Sequence, residues 1–193
     1  MPLPPFLFFM KRRLSILIAT ILISVSASAQ QIAIKTNLLS DVVLTPSLGL
    51  ELVTGEHMSL DFTFYGNYIP FWVNSTILAF QPECRYWFNG RPMTREYIGI
   101  AALATIYDIA LGKHVYDGEA AGGGFTGGYV FNLTDRWNVE LSGGVGVLFF
   151  NQKQYYRDDN YDDYVSETGP QANVWGYKLL PIKLGVSVSY IIK

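Results

Sequence analysis

The sequence predicts an all-β fold: a single antiparallel transmembrane β-barrel of about eight strands, with short periplasmic turns and longer outer loops. Three observations predict it. Apolar and polar residues alternate with period two through most of the chain, connections alternate between short and long, and charge is scarce. Charged residues are 16% of the 193 residues and hydrophobic ones 50%, against roughly 25% charged in an ordinary soluble domain. A soluble domain of this size needs a charged exterior. The 13 Tyr, 12 Phe, 4 Trp and 18 Gly suit strands, tight turns and membrane-interface girdles rather than long helices.

The first 29 residues read as an export signal. Lys11-Arg12-Arg13 is a basic start, Leu14 to Val25 is an apolar run too short for a comfortable transmembrane helix, and Ala27-Ser28-Ala29 supplies a small-residue cleavage site before Gln30. Met10 stands directly before the basic triplet and is the natural start; residues 1–9 read as an upstream extension. The barrel domain is then 30–193. Loss of Lys11, Arg12 and Arg13 with the signal takes the formal net charge from −2 to −5. A mildly acidic chain has no electrostatic reason to bind nucleic acid. Cys84 is the single cysteine, so the chain forms no internal disulfide.

The strands follow in order. Ile32 and Ile34 oppose Lys35 and Asn37; Leu48, Leu50 and Leu52 oppose Ser47, Gly49 and Glu51; Leu60, Phe62 and Phe64 oppose Ser59, Asp61, Thr63 and Tyr65. Phe80, Pro82, Cys84, Tyr86 and Phe88 oppose Gln81, Glu83, Arg85 and Trp87. Tyr97 to Ile109 is apolar on both faces, and its facing stays open. The run Gly122 to Phe131 puts Phe125, Tyr129 and Phe131 on one side. Trp137, Val139, Leu141, Val145, Val147 and Phe149 alternate with Asn138, Glu140, Ser142, Gly144 and Gly146, and Leu184, Val186, Val188, Tyr190 and Ile192 alternate with Lys183, Gly185, Ser187 and Ser189.

Short turns are expected at Thr54 to His57, Asn89 to Arg95 and Asn132 to Asp135, and longer loops at Asn67 to Ser75, Leu111 to Ala121 and Asn151 to Asn173. With a periplasmic N-terminus, the connection near Asp41 to Pro46 and the longest loop face outward.

The polar face decides which side meets lipid. It is built of Gly, Ser, Thr, Asn and Gln with few ionisable groups, whereas a solvated sheet face would carry many Lys and Glu. Lys35, Arg85 and Lys183 are balanced by Glu51, Asp61, Glu83 and Glu140, so the expectation is a lumenal salt-bridge network in a barrel filled by its own side chains. Cys84, in register with Phe80 and Tyr86, is expected on the lipid face.

Lys35-Thr36-Asn37-Leu38-Leu39, Pro82-Glu83-Cys84-Arg85-Tyr86-Trp87, and Gly127-Gly128-Tyr129 followed by Trp137-Asn138-Val139-Glu140 resemble the DUF3575 family, outer-membrane barrel-like proteins typical of Bacteroidetes. The resemblance covers essentially the whole mature chain. It implies a barrel at the outer membrane and supplies no catalytic residues. The C-terminus ends Tyr190-Ile191-Ile192-Lys193, with Tyr190 in place of a terminal aromatic.

Motifs for chemistry are sparse, and no cofactor is expected. Gly122 to Gly127 satisfies G-x-G-x-x-G, but a strand rather than a helix follows, so a glycine-rich barrel strand is expected. Asp158, Asn160 and Asp162 have the opening spacing of a calcium loop, yet Asp163 replaces its glycine and Gly169 its bidentate glutamate; a solvated acidic loop is the plainer reading. Tyr155, Tyr156, Tyr161 and Tyr164 in the same segment suit a contact surface for an extracellular protein or glycan. His57 and His114 fall on opposite sides of the membrane; His114 with Asp108 or Asp117 could form a rim pair. The expected function is therefore a non-enzymatic surface protein held in outer-membrane lipid by the barrel. The alternatives are an outer-membrane enzyme centred near His114, a small pore, and a soluble periplasmic ligand-binding barrel.

Overall fold

The computed structural model describes residues 31–67, 75–111, 114–156 and 174–192. Eight antiparallel strands close into a barrel in sequence order: β1 Ile32–Asn37, β2 Ser47–Val53, β3 Met58–Asn67, β4 Ser75–Trp87, β5 Arg95–Leu111, β6 His114–Asn132, β7 Trp137–Tyr156 and β8 Val174–Ile191. A short helix, α1 (Leu38–Val42), lies between β1 and β2, with Asn37 Oδ1 accepting from the Leu39 amide at 3.1 Å. Pairing of β1 with β8, from Ala33 opposite Ile191 to Asn37 opposite Ser187, closes the ring. Closure satisfies the backbone of both terminal strands without a helix or a second sheet.

Register settles the facing that alternation left open. In β5, Tyr97 and Ala101 are buried in the lumen while Ile98, Ile100 and Ile106 are exposed outside. The exterior row runs Phe64, Phe80, Ala104, Ala121, Phe149, Tyr177 across consecutive strands. Aromatics gather at the end that carries the short turns: Tyr86 with Phe88, Tyr129 with Phe131, and Trp137 with Tyr190. Cys84 is exposed on the same outer face.

The turns after β2, β4 and β6 are short, as expected, but the segment Leu111 to Ala121 is not a loop. β5 continues to Leu111 and β6 begins at His114, with Asp108 opposite Asp117 and Ile106 opposite Glu119. Asp117 and Glu119, which read as loop residues, are exposed positions of a strand that has run past the apolar rows of the exterior. There the outward row is polar, with Asp117 between Asp108 and Lys153, so alternation of apolar with polar residues stops being a strand signal. For the same reason β7 runs on through Asn151 to Tyr156, residues expected in the loop Asn151 to Asn173; 157–173 lie outside the described residues.

The Gly-rich run lies inside β6, paired on both sides and followed by more strand, so no nucleotide-binding turn exists there. The glycines answer to packing. A Cβ on Gly124 would stand 2.1 Å from the Val145 carbonyl oxygen and 2.4 Å from Gly146 Cα. Both obstacles are backbone, so Gly124→Ala forces the β6–β7 ladder apart. We expect a loss of about 1–3 kcal/mol, read as an earlier midpoint in denaturant unfolding; Gly55→Ala, whose Cβ would meet nothing within 4 Å, is the control.

Candidate functional site

The lumen is filled in layers. At the short-turn end, the β4–β5 connection folds under the barrel and Met93, 3% exposed, packs against Ala33 and Val53. Met93 adopts φ 61°, an uncommon backbone state for a residue with a Cβ. Its carbonyl accepts from Asn132 Nδ2 at 3.1 Å, which anchors the tuck. Above it lie Trp87, Tyr97 and Val130. Ala101, Leu148 and Ile182, with Leu103 against them, form an apolar layer higher up.

Between these layers stands a charge cluster. Strand alternation points Lys35, Glu51, Asp61, Glu83, Arg85, Glu140 and Lys183 inward from six strands, and all are buried. Arg85 is the hub, fully buried and in contact with all four carboxylates. Its Nη1 lies 2.9 Å from Glu51 and 3.0 Å from Glu140; its Nη2 lies 2.9 Å from Glu83 and 3.1 Å from Asp61. Lys35 Nζ sits 3.1 Å from Glu51 and 3.5 Å from Glu140, and also pairs with Asp61. Lys183 pairs with Glu83 and lies 3.9 Å from Glu140. A guanidinium reaches four partners because its planar fork presents five N–H donors; an ammonium in its place could not.

Neutral groups complete the cluster. Tyr97 Oη donates to Glu140 at 2.6 Å and its ring lies 4.5 Å from the Arg85 guanidinium carbon. Ser59 Oγ donates to Glu51 at 2.7 Å and accepts from Trp87 Nε1 at 2.8 Å. Thr63 donates to Asp61 and Thr126 to Glu83. Asp61 Oδ2 has both Lys35 and Arg85 against it but no well-aligned hydrogen bond, so its pairing is electrostatic. Glycine makes the room: a Cβ on Gly99 would lie 2.6 Å from Thr126 Oγ1 and 2.9 Å from Glu83 Oε1.

All seven ionisable residues of the polar faces thus come together, and the partners the sequence did not single out are Tyr97, Thr126, Ser59 and Thr63. Trp87 was placed on the inward face by alternation; Tyr97 was not, because its strand is apolar on both sides. Hub geometry of this kind holds strands in register. Every carboxylate of the cluster is shared between at least two cations.

Elsewhere, the two histidines sit at opposite ends. His57 is half-buried in the β2–β3 turn, its Nδ1 2.7 Å from the Trp87 carbonyl and its ring stacked on Tyr86. His114 opens β6 opposite Leu111, and three residues on, Asp117 stands opposite Asp108 in the register. Tyr155 and Tyr156 end β7. Asp158, Asn160, Asp162, Tyr161 and Tyr164 lie outside the described residues, and with them the calcium-loop candidate.

The architecture defines a closed eight-stranded antiparallel barrel with an apolar exterior and a buried ionic core. A family model described as a protein of unknown function, DUF3575, matches residues 15–192, and the chain belongs to that family. Comparison with curated proteins and with solved structures finds no match.

Proposed function

We propose that this protein is a non-enzymatic outer-membrane barrel: a lipid-embedded anchor whose outer connections meet a partner outside the cell. The observation that carries the reading is the inversion of the barrel. The charged residues are inside, and the exterior exposes Leu48, Phe64, Leu78, Ile100, Phe125, Leu179 and Leu184 at 54–73%. A patch of that extent in water would drive aggregation; in hydrocarbon it is the solvent-facing surface. The belt has an upper limit, marked by the exposed outward residues Asp108, Asp117 and Glu119.

The packed lumen argues against conduction. Met93, Trp87, Tyr97 and the Arg85 cluster leave no continuous polar path, and a barrel of about eight strands is filled by side chains. The same inversion argues against a soluble ligand carrier, whose apolar face would line the inside. The partner contact is assigned to residues 157–173, which join the two tall strands β7 and β8 and carry Tyr161 and Tyr164 among acidic residues.

The single cysteine tests the membrane reading directly. In native membranes Cys84 will react with a water-soluble maleimide at least an order of magnitude more slowly than a cysteine at Asp117 in a Cys84→Ser background, because a charged, water-soluble reagent does not enter hydrocarbon. Equal rates at the two positions would place Cys84 in water and remove the lipid belt.

A further inference from the structure

The barrel wall is uneven. β1 has 6 residues and β2 has 7, whereas β5 to β8 have 17 to 20. At about 3.3 Å per residue and a tilt near 45°, the low side rises about 16 Å, short of the ~25 Å apolar band of a membrane barrel. On that side β1 reaches only to Ser187 of β8. Above it the edge of β8 is capped by side chains instead: Asn37 Nδ2 donates to the Leu184 carbonyl at 3.2 Å and Gln81 Nε2 to the Ile182 carbonyl at 2.8 Å. The β7–β8 register also shifts here, so that Gly144 faces Lys183 but Val145 faces Pro181.

A cavity of about 420 Å³ occupies the seam between α1 and β8. Its lining comes from both faces of the wall. Pro181 and Leu184 line it from the exterior face, Leu39 and Val43 from the α1 turn, and Tyr65 and Lys183 from the lumen. The α1 turn exposes Leu38, Leu39, Val42, Val43 and Leu44, which is unfavourable in water and suited to hydrocarbon.

Resting on the membrane reading above, we propose that this seam is a lateral opening from the bilayer into the upper lumen, and that it seats one acyl chain of a lipid whose polar end is uncharged, such as a monoacylglycerol. The volume falls within the range of small-ligand pockets, and the walls are apolar. The inner end is polar but already bonded: Lys183 pairs with Glu83, Tyr65 Oη donates to Gln81 Oε1 at 3.3 Å and Asn37 Nδ2 donates to the Leu184 carbonyl, so a ligand there shares these groups through the remaining ammonium N–H and the phenol oxygen lone pairs. Lys183, the one charged residue that lines the cavity, is already paired with Glu83, and its cluster holds three cations against four carboxylates, Glu51, Asp61, Glu83 and Glu140, so no net positive charge is left for an anionic head. A peptide strand is a poorer occupant, because Pro181 has no N–H to donate and the bulge at Ile182 breaks the flat edge that strand addition needs.

The test is photo-crosslinking in native outer membranes with a monopalmitoylglycerol that carries a diazirine near the chain terminus, with adducts mapped by mass spectrometry. The expected result is adducts concentrated at Leu39, Val43, Pro181 and Leu184, competed by unlabelled monopalmitoylglycerol and roughly tenfold less well by palmitate. Val43→Trp, at an exposed position, fills the cavity and is expected to abolish these adducts while the folded barrel persists. Adducts spread equally over Ile98, Ile100 and Phe125 would overturn the inference and leave the membrane reading standing. Equal competition by palmitate would overturn the uncharged end. Protein found in the soluble fraction without adducts would remove the membrane reading and this inference with it.

Discussion

Arg85→Ala will cost the barrel about 3–5 kcal/mol, because it leaves buried carboxylates without the cation they share. Glu51, Asp61, Glu83 and Glu140 each lie within 3.1 Å of the Arg85 guanidinium, and Lys35 and Lys183 alone must then serve four buried anions. Denaturant unfolding in detergent measures the loss. Arg85→Lys should recover only part of it, since one ammonium cannot span Glu51, Glu83 and Glu140 together. The loss reports the broken pairing and not the net worth of the cluster: converting all seven charged residues, Lys35 and Lys183 included, to apolar residues of similar volume should cost far less per charge removed than the single change, because no buried charge is then left unpaired. A small effect for Arg85→Ala would mean that the lumen is hydrated and the cluster peripheral to stability.

Ile100→Arg is the second large effect and acts on the opposite face. Ile100 is 64% exposed and stands between Ile98 and Ala102 in the middle of the β5 outer row. A charge there has no partner and, in a bilayer, costs about 2–4 kcal/mol; near the interface the same change costs about 0–1. Asp117→Arg, above the belt, should therefore be close to neutral. The comparison is made by reversible folding into lipid vesicles, with the protein kept constant and only the site of the arginine changed. In a water-soluble barrel both substitutions would be neutral, since both positions are exposed.

Where one face of a strand was uniformly apolar, its facing was legible in the sequence. β7 and the C-terminal half of β8 alternate without interruption, and the inward row Gln81, Glu83, Arg85, Trp87 follows from period two alone. β5 was not legible because the lumen changes character along its length: Gly99 faces the charge cluster, but Ala101 and Leu103 face the apolar layer, so both faces of that strand are hydrophobic. Tyr97 was missed with it, although it bonds Glu140. The segment Leu111 to Ala121 reads as a loop because its outward positions Asp117 and Glu119 lie beyond the apolar rows of the exterior, where alternation no longer marks a strand. The shift at Ile182 and the helix Leu38–Val42 depend on how far β1 can reach along β8, a tertiary fact that no local pattern encodes.

The most direct measurement of the central claim is electrophoretic heat-modifiability of the protein in the outer-membrane fraction, unboiled against boiled. A closed barrel embedded in that membrane and held by the Arg85 cluster predicts a compact, faster-migrating unboiled band that shifts on boiling, and an Arg85→Ala band that shifts at lower temperature. Protein recovered in the soluble periplasm with no shift would contradict the account, because the exposed apolar face would then have to be covered by something other than lipid.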